Sequence, residues 1–230
     1  MITTEAYISK DKMVGKDVFL LSVDLDRYKP WIPGMFMQLS LEPRSPSSAW
    51  LDSKAFSFAS YGNSKARILV KREGNFTSRL IEHSTEGFRT SVRYPFGDVF
   101  LNSGNDKVMI AGGTGVSIFL SYIDFLNSTG STTTNFLFHS VKNSDNDVRN
   151  FYWNSLPDKF HYAKYVTSQA EEDYSGRFTF EKLHTIIGKM ELYEYYVCGP
   201  PSFNTYWVQE LSHVNLKVQS EQWITPVMNQ

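Results

Sequence analysis

VMIAGGTGVSIFLSYI, residues 108–123, is the stretch that decides the fold. An apolar run from Val108 to Ala111 meets a Gly-Gly-Thr-Gly turn, after which apolar side chains recur at helical spacing. These side chains are Val116, Phe119, Leu120, Ile123 and Leu126. The pattern predicts a strand, a tight turn and a helix.

The glycines of this turn make it a candidate anion site. Gly112, Gly113 and Gly115 carry no Cβ that would keep a ligand from the backbone, and the free N–H groups of a helix start attract a phosphate. The alternative is a glycine-rich link between a buried strand and its helix, because the turn is neither a G-x-G-x-x-G fingerprint nor a P-loop. The stretch alone leaves both interpretations open.

The composition is that of a globular protein with room for one large domain or two small ones. The 230 residues include 23 basic and 24 acidic side chains that are interspersed, so neither a nucleic acid nor an anionic membrane is an expected partner. The N-terminus has no apolar signal segment, and no apolar run approaches the roughly 20 residues that span a bilayer. We expect a cytoplasmic protein.

Cysteine and histidine usage argues against metal chemistry. Cys198 is the single cysteine, which excludes an intramolecular disulfide and an all-cysteine iron–sulfur site built by this chain alone. The five histidines are scattered without ligand spacing, so each is expected to be a surface or partly buried structural residue. We predict no metal site.

The first hundred residues predict an all-β barrel. Short strands alternate with turn signals, and one helical segment is expected at Thr77–His83. The predicted strands are Glu5–Ser9, Asp17–Val23, Met35–Leu41, Ala55–Ala59, Arg67–Lys71 and Phe88–Arg93.

After residue 103 strands and helices alternate, which predicts a parallel, doubly wound sheet with ligands at the carboxyl ends of its strands. The predicted strands are Lys107–Ala111, Asn135–His139, Tyr162–Thr167, Tyr195–Cys198 and Leu216–Ser220. The predicted helices are Val116–Asn127, Asn146–Leu156, Thr179–Ile187 and Ser202–Leu211. The boundary falls near Ser103–Asp106, so we predict domains at 1–103 and 104–230.

Two stretches of the first half could hold a cofactor. Residues 54–60, KAFSFAS, combine a positive charge, aromatic faces and a hydroxyl, which together suit a flavin; an amphipathic strand with Phe56 and Phe58 in the core is the alternative. Residues 74–78, GNFTS, could hold a phosphate at a helix start through Thr77 and Ser78, or could form a capping box.

Two stretches of the second half lie where ligands are expected. Cys198-Gly199-Pro200-Pro201 follows a strand, where one of the prolines would fit the first turn of a helix. On its own this motif is a strand stop. Residues 220–223, SEQW, pair a carboxylate with a large aromatic ring near the C-terminus.

Six motifs in order, KAFSFAS, GNFTS, YPFG (residues 94–97), AGGTG, CGPP and EQW, resemble those of the ferredoxin reductase superfamily of flavoproteins over nearly the whole chain. The resemblance implies an N-terminal antiparallel Greek-key β-barrel that binds FAD and a C-terminal α/β doubly wound domain that binds NAD(P). It also implies that hydride passes from NADPH or NADH to the flavin N5 at the cleft between them.

The resemblance implies roles for individual residues. Phe56 would contact the isoalloxazine ring and Ser57 would hydrogen-bond near its N5. The other implied FAD-binding positions are Lys54, Ala55, Gly74, Thr77, Ser78 and Trp223. The implied nucleotide-binding positions are Gly112, Gly113, Thr114, Gly115, Cys198, Gly199 and Pro200. Ser57, Cys198 and Glu221 form the implied catalytic set, with Glu221 and Trp223 resembling the family's acidic and aromatic pair near the flavin.

Nucleotide preference is predicted from the loop after the second parallel strand. Ser140 and Lys142 lie where the resembling family contacts the adenosine ribose, and together they could meet a 2′-phosphate by hydrogen bond and point charge. This favours NADPH over NADH. A solvated loop with a chance lysine is the alternative.

The leading functional hypothesis is an FAD-dependent NAD(P)H oxidoreductase that passes single electrons to a partner carrier, such as a ferredoxin or an oxygenase component. Two departures from the family, Lys54 in place of Arg and Ile118 in place of Pro, motivate an NAD(P)H:flavin reductase that releases free reduced flavin. A third hypothesis is an electron-transfer subunit of a larger dehydrogenase complex. The cysteine cluster usual in the subunit paired with dihydroorotate dehydrogenase is absent from this chain.

Overall fold

The chain folds into two sheets, the first antiparallel and the second parallel. This arrangement comes from a computed structural model that describes residues 1–99, 101–102, 104–147, 156–168 and 176–220. The predicted combination of an antiparallel β unit followed by a doubly wound α/β unit is confirmed.

Six strands form the antiparallel sheet in the order β4-β3-β6-β1-β2-β5, which requires Greek-key connections. The strands are β1 Ile2–Met13, β2 Val18–Leu25, β3 Phe36–Ser40, β4 Ser53–Ser57, β5 Lys65–Lys71 and β6 Phe88–Phe96. The sheet curls so that a bridge between Phe58 and Ile68 joins its two edges, with the Ala59 amide donating to Arg67 O at 2.8 Å. Helix α1, Asn75–Glu86, follows β5.

Five strands form the parallel sheet in the order β11-β10-β7-β8-β9. The strands are β7 Lys107–Gly112, β8 Asn135–Val141, β9 Phe160–Val166, β10 Glu194–Cys198 and β11 Val218–Ser220. The helices are α2 Ser117–Thr129, α3 Phe180–Ile187 and α4 Pro201–His213. The predicted helix at Asn146–Leu156 lies mostly outside the described residues.

The two sheets share a hydrophobic core. Leu20 and Leu69 of the antiparallel sheet belong to the same cluster of buried side chains as Phe119 and Ile123 of α2. A buried polar contact reinforces this packing, because Ser60 O accepts a hydrogen bond at 2.9 Å from Ser121 Oγ across the interface and another at 2.9 Å from Trp31 Nε1. The two sheets are therefore joined by side-chain packing as well as by the chain.

None of the helices among the described residues combines the length and the apolar character needed to cross a bilayer.

Candidate active site

The parallel sheet has its topological switch point between β7 and β10, and the carboxyl ends of these strands carry the glycine turn and Cys198. Ligands bind at such a point in open α/β sheets. A Cβ on Gly115 would lie 2.2 Å from Cys198 O, and one on Gly199 would lie 3.1 Å from Gly112 Cα. Gly115 and Gly199 therefore let the two strand ends pack closely.

Gly113 differs from its neighbours because packing does not require it. Its φ is +54°, a region that residues with a Cβ rarely adopt, and no atom of the described residues lies within 4 Å of the place where a Cβ would stand. It begins a short 3-10 turn, Gly113–Val116, whose start has no side-chain cap. The described residues thus leave space beside Gly113 and no side-chain cap at the start of the turn, as an anion site requires.

A buried histidine forms a hydrogen bond with the glycine turn. His139 lies at the carboxyl end of β8 with 1% of its surface exposed, and its Nε2 is 2.8 Å from Gly113 O. Its Nδ1 is 3.1 Å from the Tyr162 hydroxyl, which lies 3.3 Å from Asp147 Oδ1; Lys164 Nζ is 3.0 Å from the same carboxylate. Burial lowers the pKa of His139 to about 4, so the ring is neutral at pH 7.

The expectation of a surface or partly buried histidine is wrong for His139, which is buried because it lies at the carboxyl end of β8, between β7 and β9. Its position next to Ser140, at the end of the second parallel strand, was the available signal of a role near the ligand.

The flavin side of the predicted site lies on β4. Phe56 stacks against Phe76 of α1 with 6.3 Å between ring centroids, and Ser57 is buried and pairs with Phe36 in the ladder. Lys54 is exposed, with its Nζ 5.9 Å from the centre of the Phe76 ring. Ala55 lies between them and is half-buried. The amphipathic-strand alternative is correct in one respect, since Phe58 is fully buried in the barrel core.

The start of α1 is not the capping box that was the alternative interpretation of residues 74–78. Gly74 occupies the cap position and no side chain caps the helix. Thr77 instead accepts a hydrogen bond from the Glu73 amide at 2.9 Å and donates to Gly74 O at 3.2 Å, while the Ser78 amide donates to Gly74 O. The first amides of α1 are left without a side-chain partner, as a phosphate site requires.

A groove of about 400 Å³ opens beside this helix start. It is lined by Ser40, Leu41, Glu42, Arg44, Leu51, Asp52, Ser53, Lys54, Asn75, Phe76 and Arg79. Arg44 lies 3.7 Å from Asp52, whereas Lys54 and Arg79 make no ion pair with another described residue. Two cations are therefore available to a diphosphate at the helix start.

Arg79 was missed by the sequence analysis, although its spacing could have identified it. It stands four residues after Asn75, so the two side chains lie on the same face of α1.

The shared core brings the two sides of the predicted site together. Ala59, two residues beyond Ser57, belongs to the same buried cluster as Val116 of the glycine turn and Cys198 of β10. Strand β5 also contacts the Gly113–Val116 turn.

The other predicted nucleotide positions have simple placements. Ser140 pairs with Gly112 across the β7–β8 ladder and is half-buried, while Lys142 is exposed. Pro200 precedes α4 and Pro201 occupies its first turn, as the motif predicts. Glu221 and Trp223 lie outside the described residues. Within the described ranges, no three histidine, cysteine, aspartate or glutamate side chains are grouped to hold a metal ion.

Residues 109–209 match the family model described as the oxidoreductase NAD-binding domain. A flavohemoprotein of Bacillus cereus is 25% identical over 228 residues, which cover 90% of this chain and 54% of the relative. The chain thus spans about half the length of that curated relative.

Two solved structures share the fold. The ferredoxin reductase in carbazole 1,9a-dioxygenase aligns with a TM-score of 0.81 at 20% identity, covering 97% of this chain and 70% of that one. A ferredoxin NADP+ reductase from Neisseria gonorrhoeae with bound FAD and NADP aligns with a TM-score of 0.77 at 17% identity, covering 95% of this chain and 98% of that one.

Proposed function

We propose that this chain, which shares its fold with ferredoxin reductases and matches the oxidoreductase NAD-binding domain, is an FAD-dependent NAD(P)H oxidoreductase that supplies electrons to a partner carrier. The barrel, residues 1–103, is the proposed FAD-binding domain, and residues 104–230 are the proposed NAD(P)-binding domain. The neighbour with bound FAD and NADP supports the pairing of cofactors.

One observation carries the proposal. The strand that bears Phe56 and Ser57 runs directly into Ala59, which packs in the same cluster as the glycine turn and Cys198. This shared packing supports placing the residues expected at the flavin edge near those expected at the nicotinamide. Hydride transfer needs that closeness, because the reacting atoms must approach to about 3–3.5 Å.

The residues of the barrel fit FAD. The uncapped amides of α1, Lys54 and Arg79 would hold its diphosphate, and Phe56 would lie against the isoalloxazine ring. Ser57 is buried, so a hydrogen bond from its hydroxyl would act in a water-poor environment where it is stronger. Bound FAD would take a hydride from NAD(P)H and release the electrons one at a time.

The residues of the parallel sheet would position the hydride donor. The open amides of the Gly113–Val116 turn would bind the diphosphate of NAD(P)H, and Ser140 and Lys142 would lie near its adenosine ribose. Cys198, at the buried end of β10, would border the nicotinamide together with Gly199 and Pro200. The proposed catalytic set keeps Ser57, Cys198 and Glu221.

Purified protein tests the proposal. We expect a yellow protein whose flavin is FAD and whose absorbance bleaches when NADPH or NADH is added without oxygen. We also expect steady oxidation of the nucleotide with ferricyanide or cytochrome c as acceptor. A protein that binds no flavin after incubation with FAD, and oxidises neither nucleotide, would overturn the assignment.

An NAD(P)H:flavin reductase is the second candidate, and the charge at the diphosphate position favours it. Lys54 offers a single point charge in place of the two-pronged guanidinium that retains a diphosphate, and it lies exposed at the groove. Gel filtration separates the candidates. Flavin that stays with the protein supports electron transfer to a protein carrier such as a ferredoxin or an oxygenase component, and a colourless protein that reduces added flavin supports the reductase.

A further inference from the structure

His139 is a buried titratable residue that hydride transfer does not use. It occupies the middle strand of the three β7, β8 and β9, paired in the ladder with Ala111 on one side and Lys164 on the other. The backbone of His139 is thus held by strand pairing on both sides. From there it reaches the carbonyl of Gly113, the one glycine of the turn that packing leaves unexplained.

The partners of the ring determine where its proton lies. A carbonyl oxygen can only accept, so Nε2 at 2.8 Å from Gly113 O carries the hydrogen. Nδ1 of the neutral ring is then an acceptor, and the Tyr162 hydroxyl at 3.1 Å is its donor. The same hydroxyl lies 3.3 Å from Asp147 Oδ1, so two acceptors share its proton. Lys164 balances the charge of that carboxylate at 3.0 Å.

The hydrogen bond to Gly113 O sets the direction of the next amide. In a trans peptide the carbonyl oxygen and the following N–H point to opposite sides. Because the Gly113 carbonyl points to His139, the Thr114 N–H points away from His139. The described residues leave the space beside Gly113 open. Gly113 itself has a φ of +54°, a conformation that glycine adopts without strain.

We propose that His139 is a positioning residue of the nucleotide-binding turn: its Nε2–H holds the Gly113–Thr114 peptide in the orientation that aims the Thr114 amide at the diphosphate of NAD(P)H. The inference rests on the proposed function, since it takes this turn as the diphosphate site. His139 does not touch the ligand. It makes one amide available before binding, so that the nucleotide does not spend binding energy on turning the peptide.

The test compares two polar replacements that differ in reach. His139→Gln can place an N–H where Nε2 stands, whereas the shorter His139→Asn cannot reach Gly113 O. Tyr162→Phe is the control, because it removes the partner of Nδ1 and leaves the bond to Gly113. For each purified flavin-loaded variant, KM and kcat for NADH and NADPH are measured, together with equilibrium binding of NADH by its fluorescence and the melting temperature.

We expect His139→Asn to raise KM and the NADH dissociation constant about tenfold, the value of roughly one hydrogen bond, with kcat at saturation within about twofold of the wild type. His139→Gln is expected to restore most of the affinity, and Tyr162→Phe to keep it. Should His139→Asn not fold, His139→Leu replaces it in the same comparison with His139→Gln.

Two results would overturn the inference. The first is a His139→Asn variant that binds the nucleotide with wild-type affinity. The second is an equal loss of affinity in His139→Asn and His139→Gln that parallels the fall in their melting temperatures, because a purely structural role of His139 predicts that result. A wild-type protein that binds neither nucleotide would instead overturn the proposed function itself.

Discussion

We expect the substitution Gly113→Val to weaken nucleotide binding by the glycine turn far more than it lowers the stability of the fold. Gly113 has a φ of +54°, and none of the described residues lies within 4 Å of a Cβ placed there, so the substitution adds backbone strain without a clash against this part of the chain. Strain of this kind costs about 1–2 kcal/mol, which lowers the melting temperature of a chain of this size by roughly 2–8 °C.

The chain offers a matched control in Gly130, which ends α2. Its φ is +64°, and it too has nothing within 4 Å of a Cβ. Gly130→Val should therefore lose a similar amount of stability. Gly130 follows the C-terminal end of α2, whereas the glycine turn precedes the start of that helix. Any difference between the two variants in nucleotide binding then reports on the turn alone.

The expected difference is large. A branched side chain at residue 113 would keep the diphosphate from the turn amides, and the loss of one charge-assisted hydrogen bond, about 1.5–3 kcal/mol, raises KM for NAD(P)H at least about tenfold. FAD content should be unchanged in both variants. The assay combines steady-state kinetics, visible absorbance and thermal melting. A Gly113→Val protein with the melting temperature of Gly130→Val and the KM of the wild type would refute the reasoning.

Four further outcomes are expected. Ser57→Ala should bind flavin and slow its reduction in stopped-flow experiments by roughly ten- to a hundredfold, and an unchanged rate would remove Ser57 from the reaction. Lys54→Ala should weaken FAD retention during dialysis about tenfold, while Lys54→Arg should strengthen it through a two-pronged contact; equal retention in both contradicts a diphosphate contact at this position. Lys142→Ala should lower the efficiency with NADPH relative to NADH, and an unaltered ratio would mean that Lys142 does not select the nucleotide. The pKa of His139 is about 4 in the folded chain and near 6.5 in the unfolded chain, so between these pH values only the unfolded chain binds the proton. The free energy of unfolding is therefore at its full value above about pH 6.5 and falls by on the order of 3 kcal/mol as the pH drops to 4. Denaturant titrations should show a smaller pH dependence in His139→Gln.

The fold could be predicted from the sequence because its signals are local and repeated. The residues from Val108 onward form the predicted strand, turn and helix, and the predicted antiparallel and parallel units are both confirmed. Strand β2 is buried along nearly its whole length, because it carries apolar side chains on both faces: Phe19, Leu21 and Val23 on one and Val18 and Leu20 on the other.

The site could be predicted less completely, because neighbouring residues of one motif do different things in three dimensions. The sequence does not distinguish Gly115, which must lack a Cβ to clear Cys198 O, from Gly113, which faces open space. Thr77 was expected at a phosphate or in a capping box, yet its hydroxyl binds the backbone around Gly74. The role proposed for His139 depends on the hydrogen bond between this residue of β8 and Gly113, which follows β7, and the sequence alone does not show that contact.

The core shared by the two sheets limits how such proteins can be recombined. An antiparallel sheet taken from a relative would lack Leu20 and Leu69, which lie in the same buried cluster as Phe119 and Ile123 of α2. At about 25 cal/mol for each Å² of apolar surface, a mismatch at a few such side chains is comparable with the whole stability of an ordinary domain. The two sheets therefore have to be treated as one unit, and a chimera that folds has to exchange α2 together with β2 and β5.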